Sequence, residues 1–306
     1  MLYISTRSNV DTYTAHRALY EEYAPDGGYY VPFYLPSFSP DVLSYFKRKP
    51  AYDTIAEILN LFFSLRLSAV DIEGALGRPS FGCEKLNQNL TAVELWHTPE
   101  GNSDYIFKKL NHLMTGNLQL PVGWPRVAIE IALLFSLLSV LPEGVRSFDL
   151  AVTADDLSNI TALSFAKAMG LPVNLVICAC EDNSAFWNLI NKGEFSTANT
   201  PAYMELFLYK FAGEEYVSAY LSAKNLKQTY FIDESMAPIL SEHFYTAVVS
   251  RDRAESNISG MFRSNQYSLD IDAALAFGGL QDYRAIEGLN RNTLIFVNKR
   301  PERIKE

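Results

Sequence analysis

Residues 148 to 180 restrict the fold more than any other stretch of the chain. FDLAVT (Phe148–Thr153) is a short apolar run, ITALSFAKAMG (Ile160–Gly170) is an amphipathic helical pattern closed by a glycine, and PVNLVICAC (Pro172–Cys180) is a second apolar run. Strand, helix and strand in this order form a βαβ unit, whose strands have to be parallel. Parallel strands are buried on both faces, so the sheet needs helices above and below it. TLIFVN (Thr293–Asn298) reads as a further strand, reached after a helical region from about Ser241 to Leu289. The expectation is an α/β fold: a small parallel sheet flanked by many helices.

The front of the chain has a different texture. Ala51 to Leu67 carries apolar residues at helical spacing, and the following Ser68-Ala69-Val70-Asp71 can cap the next helix. Asp26-Gly27-Gly28 is a turn signal, because glycine tolerates positive φ and an aspartate side chain can accept from its own backbone. The aromatic run Tyr29, Tyr30, Phe33, Tyr34 is expected to pack as an extended arm. CEKLNQNLTAV (Cys83–Val93) separates this portion from the rest, so residues 1–88 read as an α-rich N-terminal domain and 89–306 as an α/β domain. The most apolar segment, Val127 to Leu141, is interrupted by Glu130, bounded by Pro125 and Pro142, and shorter than the roughly 20 residues a bilayer span requires. It reads as a buried core helix.

At 306 residues, with 48% hydrophobic and 20% charged content, the chain can bury a large core and has room for two domains. Its net charge of -9 is spread along the sequence, which disfavours nucleic acid as a partner. Lys47, Arg48 and Lys49 read as a solvated turn, and Lys299, Arg300, Arg303 and Lys305 as a basic tail. Three cysteines, Cys83, Cys178 and Cys180, read as reduced thiols; with no secretory signal at Met1–Arg7, the expectation is a cytoplasmic protein with no membrane partner. Cys178 and Cys180 share one face of a strand and read as packing residues. His16, His97, His112 and His243 are too scattered to suggest a triad or a metal cluster.

YISTR (Tyr3–Arg7), followed by EEYAPDGGYYVPFYLP (Glu21–Pro36), resembles the start of threonine synthase, whose pattern is Y-x-S-T-R and then A-P-D-G-G-L-Y-V-P. The resemblance implies a fold-type II pyridoxal-phosphate (PLP) domain, tryptophan synthase β-like, behind a threonine synthase-like N-terminal domain. In that family a lysine forms a Schiff base with PLP, and a glycine-rich turn at a helix N-terminus holds the cofactor's phosphate. ELWHTPEGNSDY resembles the lysine segment E-L-F-H-G-P-T-x-A-F-K-D; Glu94, Leu95, His97 and Pro99 fall in register, and Asp104 stands at the lysine position. Lys108 and Lys109 follow one turn later and read as a polar helix face, a slipped alignment being the alternative.

TADDLSN resembles the phosphate turn P-T-G-N-F-G-N, anchored by NITALSFAKAMGLP after it; Asp155 and Ser158 replace the two glycines, and Asp156 adds a carboxylate. LDIDAALA resembles D-P-H-T-A-V-A, with Asp270 retained and Asp272 at the histidine. NKRPERI resembles T-A-H-P-A-K-F, with Pro301 retained and Asn298 at the threonine that would bond the cofactor ring nitrogen. Only MTGNLQLPVG (Met114–Gly123) spans an interval in which the family carries an α/β lobe, so the resemblance implies a deletion.

The resemblance therefore implies a threonine synthase-like protein that has lost its PLP lysine and phosphate loop. Catalytic, cofactor-binding and metal residues are expected to be absent, with no PLP. The candidate remnant-cleft residues are Asp104, Asp155, Asp156, Ser158, Asn159, Asp270 and Asn298. Asp155 and Asp156 read either as caps of the following helix or as part of a cation or amine site; Asp270 and Asp272 read as a turn or cap, a catalytic acid/base pair being the alternative. The expected role is a non-catalytic binding or assembly protein, self-associating or bound to a protein partner, with a small amino-acid-like ligand as a further candidate. The alternative is a residual or altered lyase-type enzyme acting on a small amino acid or amine.

Overall fold

The computed structural model describes residues 1–77, 82–141 and 145–301. Pro142, Arg303 and Lys305 lie outside the described residues. The front of the chain forms β1 (Leu2–Ser5), β2 (Tyr13–Thr14), α1 (Ala15–Tyr20), β3 (Tyr30–Pro32), α2 (Pro40–Arg48), α3 (Ala51–Phe63) and α4 (Ala69–Leu76). β1 pairs antiparallel with both β2 and β3. The Asp26 turn forms as expected: Gly27 has φ 80° and Asp26 Oδ1 accepts from the Gly28 amide at 2.9 Å. Gly28 is needed for closeness, since an added Cβ would lie 2.2 Å from Ser5 Oγ. Ser68 and Asp71 close a reciprocal capping box on α4. The aromatic arm packs only through its first half. Tyr30 is buried, whereas Phe33 and Tyr34 are 60% and 73% exposed.

The YISTR motif has two structural duties. Tyr3 is fully buried against Phe63 and Trp124, and its hydroxyl donates to the Phe62 carbonyl at 2.8 Å. Thr6 Oγ1 donates to Glu205 Oε1 at 2.6 Å, while Arg7 Nε and Nη2 reach the two oxygens of the same carboxylate at 3.1 and 3.0 Å. Such a forked pair fixes orientation as well as adding energy. It ties the first strand to a helix two hundred residues away.

Beyond α4 the chain enters the central sheet through a hairpin, β4 (Gly82–Asn87) and β5 (Leu90–Glu94), then forms α5 (Asp104–Thr115), α6 (Trp124–Ser136), β6 (Phe148–Thr153), α7 (Ser158–Ala168) and β7 (Val173–Cys180). The hairpin turn contains residue 88, so the expected domain boundary divides two paired strands, and β4 goes structurally with the second part. α8 (Ala185–Lys192), β8 (Glu194–Ser196), α9 (Met204–Asn225, kinked at Gly213), β9 (Thr229–Phe231) and α10 (Met236–His243) follow. The last elements are β10 (Phe244–Val248), α11 (Arg251–Asn265), α12 (Ile271–Glu287) and β11 (Thr293–Val297). β10 corrects the expectation of a helical region from about Ser241 to Leu289, which it interrupts. Its five residues are too few for periodicity to separate a buried strand from a helix.

The six-stranded sheet has the order β10-β7-β6-β11-β5-β4, parallel throughout except for the β4–β5 hairpin. β6, α7 and β7 form the expected βαβ unit. Alternation along the strands sends Leu150, Val152, Val176, Cys178 and Cys180 into the core shared with α6 and α7, and Ala151 and Ile177 into the one under α12. Both faces are thereby covered. All residues of α6 except Arg126 are buried, as a core helix requires, and among the described residues no helix is long and apolar enough to cross a membrane. The α6 core runs without a break into the side chains of β1 and α3.

Glu205→Ala removes the acceptor for Thr6 and Arg7 and should cost about 2 kcal/mol, the partial exposure of Arg7 keeping the loss below that of a fully buried pair. Urea unfolding checks this. A change in midpoint worth under about 0.5 kcal/mol would show that the pair is energetically idle.

Candidate ligand cleft

A cavity of about 370 Å³ opens at the C-terminal ends of β6 and β11, between the N-termini of α5, α7 and α12, with α6 as its back wall. A crossover helix that follows a parallel strand has to begin at this edge, so the positive end of the α7 dipole faces the cavity. Six of the seven residues expected from sequence line it: Asp104, Asp155, Asp156, Ser158, Asn159 and Asn298. Asp270 does not. It is buried as the N-cap of α12, where it accepts from the amides of Ala273, Asn298 and Lys299, each at 2.7 Å. Its role is to clamp the end of β11 to α12; Asp272 is the carboxylate that reaches the cleft.

The start of α7 is closed by its own side chains. Asp156 Oδ1 accepts from the Ser158 amide at 2.8 Å, and Asn159 Oδ1 accepts from the Ile160 amide at 2.8 Å. Leu157, fully buried, holds φ 68° at the N-cap, a left-handed conformation that costs a non-glycine residue roughly 1 kcal/mol and marks a loop fixed by its surroundings. Asp156, one residue before the N-cap, thus takes the first amide of α7, a helix-terminating role of the kind one sequence reading expected. Asp155 instead accepts from Thr153 Oγ1 at 3.0 Å. Loss of water raises the Asp155 pKa against the opposing Thr153 hydrogen bond, and Asp272, Asp156 and Glu181 raise it further.

Two residues at the back of the cleft were not singled out from sequence. Glu130 is buried; its Oε1 accepts from Arg126 Nε at 2.7 Å and from Ser158 Oγ at 3.0 Å, while Oε2 has no hydrogen-bond partner among the described residues. Burial raises its pKa, the Arg126 charge and hydrogen bond oppose this, and Asp156 adds to it. The Arg126 guanidinium lies 3.5 Å from the centroid of the Phe107 ring. The signal was present in the sequence as a lone carboxylate in an apolar helix, with an arginine four residues before it.

The other expectations fall into place around this geometry. Asp104 is exposed at the first turn of α5, and the lysines after it do not line the cleft: Lys108 pairs with Glu100 at 3.6 Å, and Lys109 lies over the Tyr105 ring. Among the described residues Lys299 is the one lysine that does, with Nζ 3.5 Å from Asp272 Oδ2. His97 bonds Glu94 at 2.5 Å and is structural. Cys178 and Cys180 are buried, and desolvation holds both thiols protonated, Cys180 being pushed up to about 12. Among the described residues no group of three His, Cys, Asp or Glu side chains is arranged to hold a metal ion. Residues 116–123 connect α5 directly to α6 and expose Leu118, Leu120 and Val122.

Residues 2–78 match the family model for the threonine synthase N terminus. The chain is 31% identical over 120 residues to threonine synthase-like 2 of Rattus norvegicus, covering 36% of this chain and 24% of that protein. It is 25% identical over 190 residues to threonine synthase-like 2 of Xenopus laevis, covering 57% and 39%. The chain thus spans less than two fifths of the length of the curated relatives it matches. The PLP-bound threonine synthase of Brucella melitensis superposes with a TM-score of 0.83 at 16% identity, over 98% of this chain and 88% of that one. The yeast enzyme gives 0.83 at 15% identity over 97% and 87%. At such identities the likeness speaks for the fold alone. Residues 2–78 are thus similar in sequence to the threonine synthase N terminus, and the chain as a whole shares the mostly parallel α/β fold of the threonine synthases, which are fold-type II PLP enzymes.

Proposed function

We propose that this threonine synthase-like chain does not use PLP and acts as a non-catalytic binding protein whose cleft takes a small amine of the amino-acid type. The observation that carries the reading is the hydrogen bond from the Ser158 amide to Asp156. An anion site at a helix N-terminus works by offering such amides to a ligand phosphate. Here a side-chain carboxylate takes the first of them, with Asp155 beside it.

Charge favours the same conclusion. Asp104, Glu130, Asp155, Asp156 and Asp272 face the cavity against Arg126 and Lys299, five carboxylates to two cations. At an effective dielectric constant of about 20, two like unit charges about 6 Å apart repel by about 3 kcal/mol, and a dianion meets twice that from each carboxylate. The helix terminus offsets only about 1 kcal/mol. For an ammonium the sign reverses. Glu130 Oε2, buried and without a partner, is an acceptor ready for an N–H donor, and Asn298 and Lys299 supply donors for a ligand carboxylate.

The enzymatic alternative has one observation in its favour. Glu130 is a buried carboxyl with a raised pKa at the wall of a cleft, the environment of a general acid or base. Amine turnover that disappears in Glu130→Gln would select it. The expected self-association draws on Leu118, Leu120 and Val122 in the segment joining α5 to α6. Sedimentation velocity decides that part, and a strictly monomeric particle removes it.

Incubation with equimolar PLP followed by borohydride should leave no stoichiometric adduct in the cleft. The adduct that matters is one on a cleft lysine at PLP equimolar with the protein: stoichiometric trapping on Lys299 overturns the reading, whereas scattered labelling of surface lysines by excess aldehyde does not. Small primary amines and amino acids should raise the melting temperature, and Asp155→Gly combined with Asp156→Asn should remove the shift. No shift with any of them would discard the amine ligand.

Glu130→Gln should separate stability from binding. A carboxyl whose folded pKa is raised contributes stability fully below its unfolded pKa and loses that contribution as pH rises through the folded value. The Gln variant should therefore gain on the wild type as pH rises from acid to neutral, while binding amines more weakly. Urea unfolding at several pH values reads the first effect; parallel free-energy curves would show that Glu130 keeps an ordinary pKa.

A further inference from the structure

A second cavity, of about 280 Å³, lies on the opposite end of α7 from the cleft, between α7, α9 and the α10–β10 junction. Three elements each aim a basic side chain at it: Lys167 from α7, Lys210 from α9 and His243 from the end of α10, with Phe211 and Phe244 as aromatic walls. No carboxylate lines it among the described residues. We propose that this cavity is an anion site, taking a small phosphate-type dianion between Lys167, Lys210 and His243.

Two of the three cations have a structural reason to be where they are. Lys167 and His243 occupy the last turns of α7 and α10, where exposed carbonyls attract positive charge, and Lys167 Nζ donates to the Asn174 carbonyl at 2.5 Å. Lys210 has no such reason. It sits within α9, and its ammonium is placed over the Phe165 and Phe211 rings at 5.8 and 5.3 Å, without an ion pair among the described residues. Cation–π contact at a partly exposed site is worth about 0.5–1 kcal/mol and does not neutralise the charge.

The charged groups around the cavity leave it positive. Asp149 of β6 and Glu242 of α10 act on Lys167, and Glu242 on His243, from outside the lining. Desolvation lowers the pKa of all three basic groups, and Lys167 and Lys210 lower that of His243 further. A bound dianion reverses each of these effects: it supplies the missing countercharge and favours the protonated imidazole. Binding should therefore take up protons and weaken as pH rises. This site is independent of the amine cleft, which holds the opposite charge.

Calorimetric titration of the full chain with inorganic phosphate, and with sulfate, whose charge does not change near neutrality, tests the proposal. Saturable binding that weakens with rising pH for sulfate is expected. Lys210→Met, which keeps the length of the side chain in its aromatic surroundings, should weaken binding by about tenfold or more, with Lys210→Arg retaining it. Circular dichroism checks folding, and His243→Asn carries the same test should Lys210→Met not fold. Absence of saturable binding by the wild type, or binding unchanged in the folded charge-removing variant, overturns the proposal.

Discussion

The parallel pairing of β6 with β7 and β11 is the constraint from which the rest of the molecule follows. Parallel neighbours cannot be joined by a tight turn, so each needs a crossover, and each crossover helix covers a face the strands would otherwise leave wet. α7 provides one cover and α12 another. The same geometry brings the N-termini of α5, α7 and α12 to one edge of the sheet, where their dipoles converge and their first amides need partners from outside the helix. A cleft at this edge is a property of the topology before it is a property of any side chain.

What the side chains add is a reversal of charge. The terminus of α7 is an anion site by default, and here it is filled from within by Asp156. Beneath it Glu130, paired with Arg126 within α6, joins α6 to α7 through Ser158, so that the back of the cleft is a buried polar network rather than an apolar wall. Desolvating a carboxylate is costly, and one left with an unpartnered oxygen is poorly compensated. At the other end of α7, Lys167, Lys210 and His243 produce the opposite polarity within the length of one helix.

The N-terminal motif serves the fold. Tyr3 fills the core beside Trp124, and Thr6 and Arg7 share the Glu205 carboxylate. None of these side chains lines the cleft. A match confined to residues 2–78 therefore reports on how the chain is held together, and the chemistry of the cleft has to be read from its own residues.

The apolar runs at Phe148–Thr153 and Pro172–Cys180, with a glycine-ended helix between them, determined the parallel unit, because two strands joined through a helical crossover pair in parallel. Six cleft residues were legible as well, since local capping and motif register placed them at the ends of known elements. Sequence did not reveal β10 or the β4–β5 hairpin, whose short runs become strands only by pairing with a sheet already present. Nor did it separate Asp270 from the cleft, or bring in Glu130, Arg126 and Lys299. Which oxygen of a carboxylate is paired, and which way a half-buried arginine is turned, depend on contacts between α6, α7, α12 and β11, elements far apart in the chain. Local pattern fixes an element and its faces; only packing decides what those faces meet.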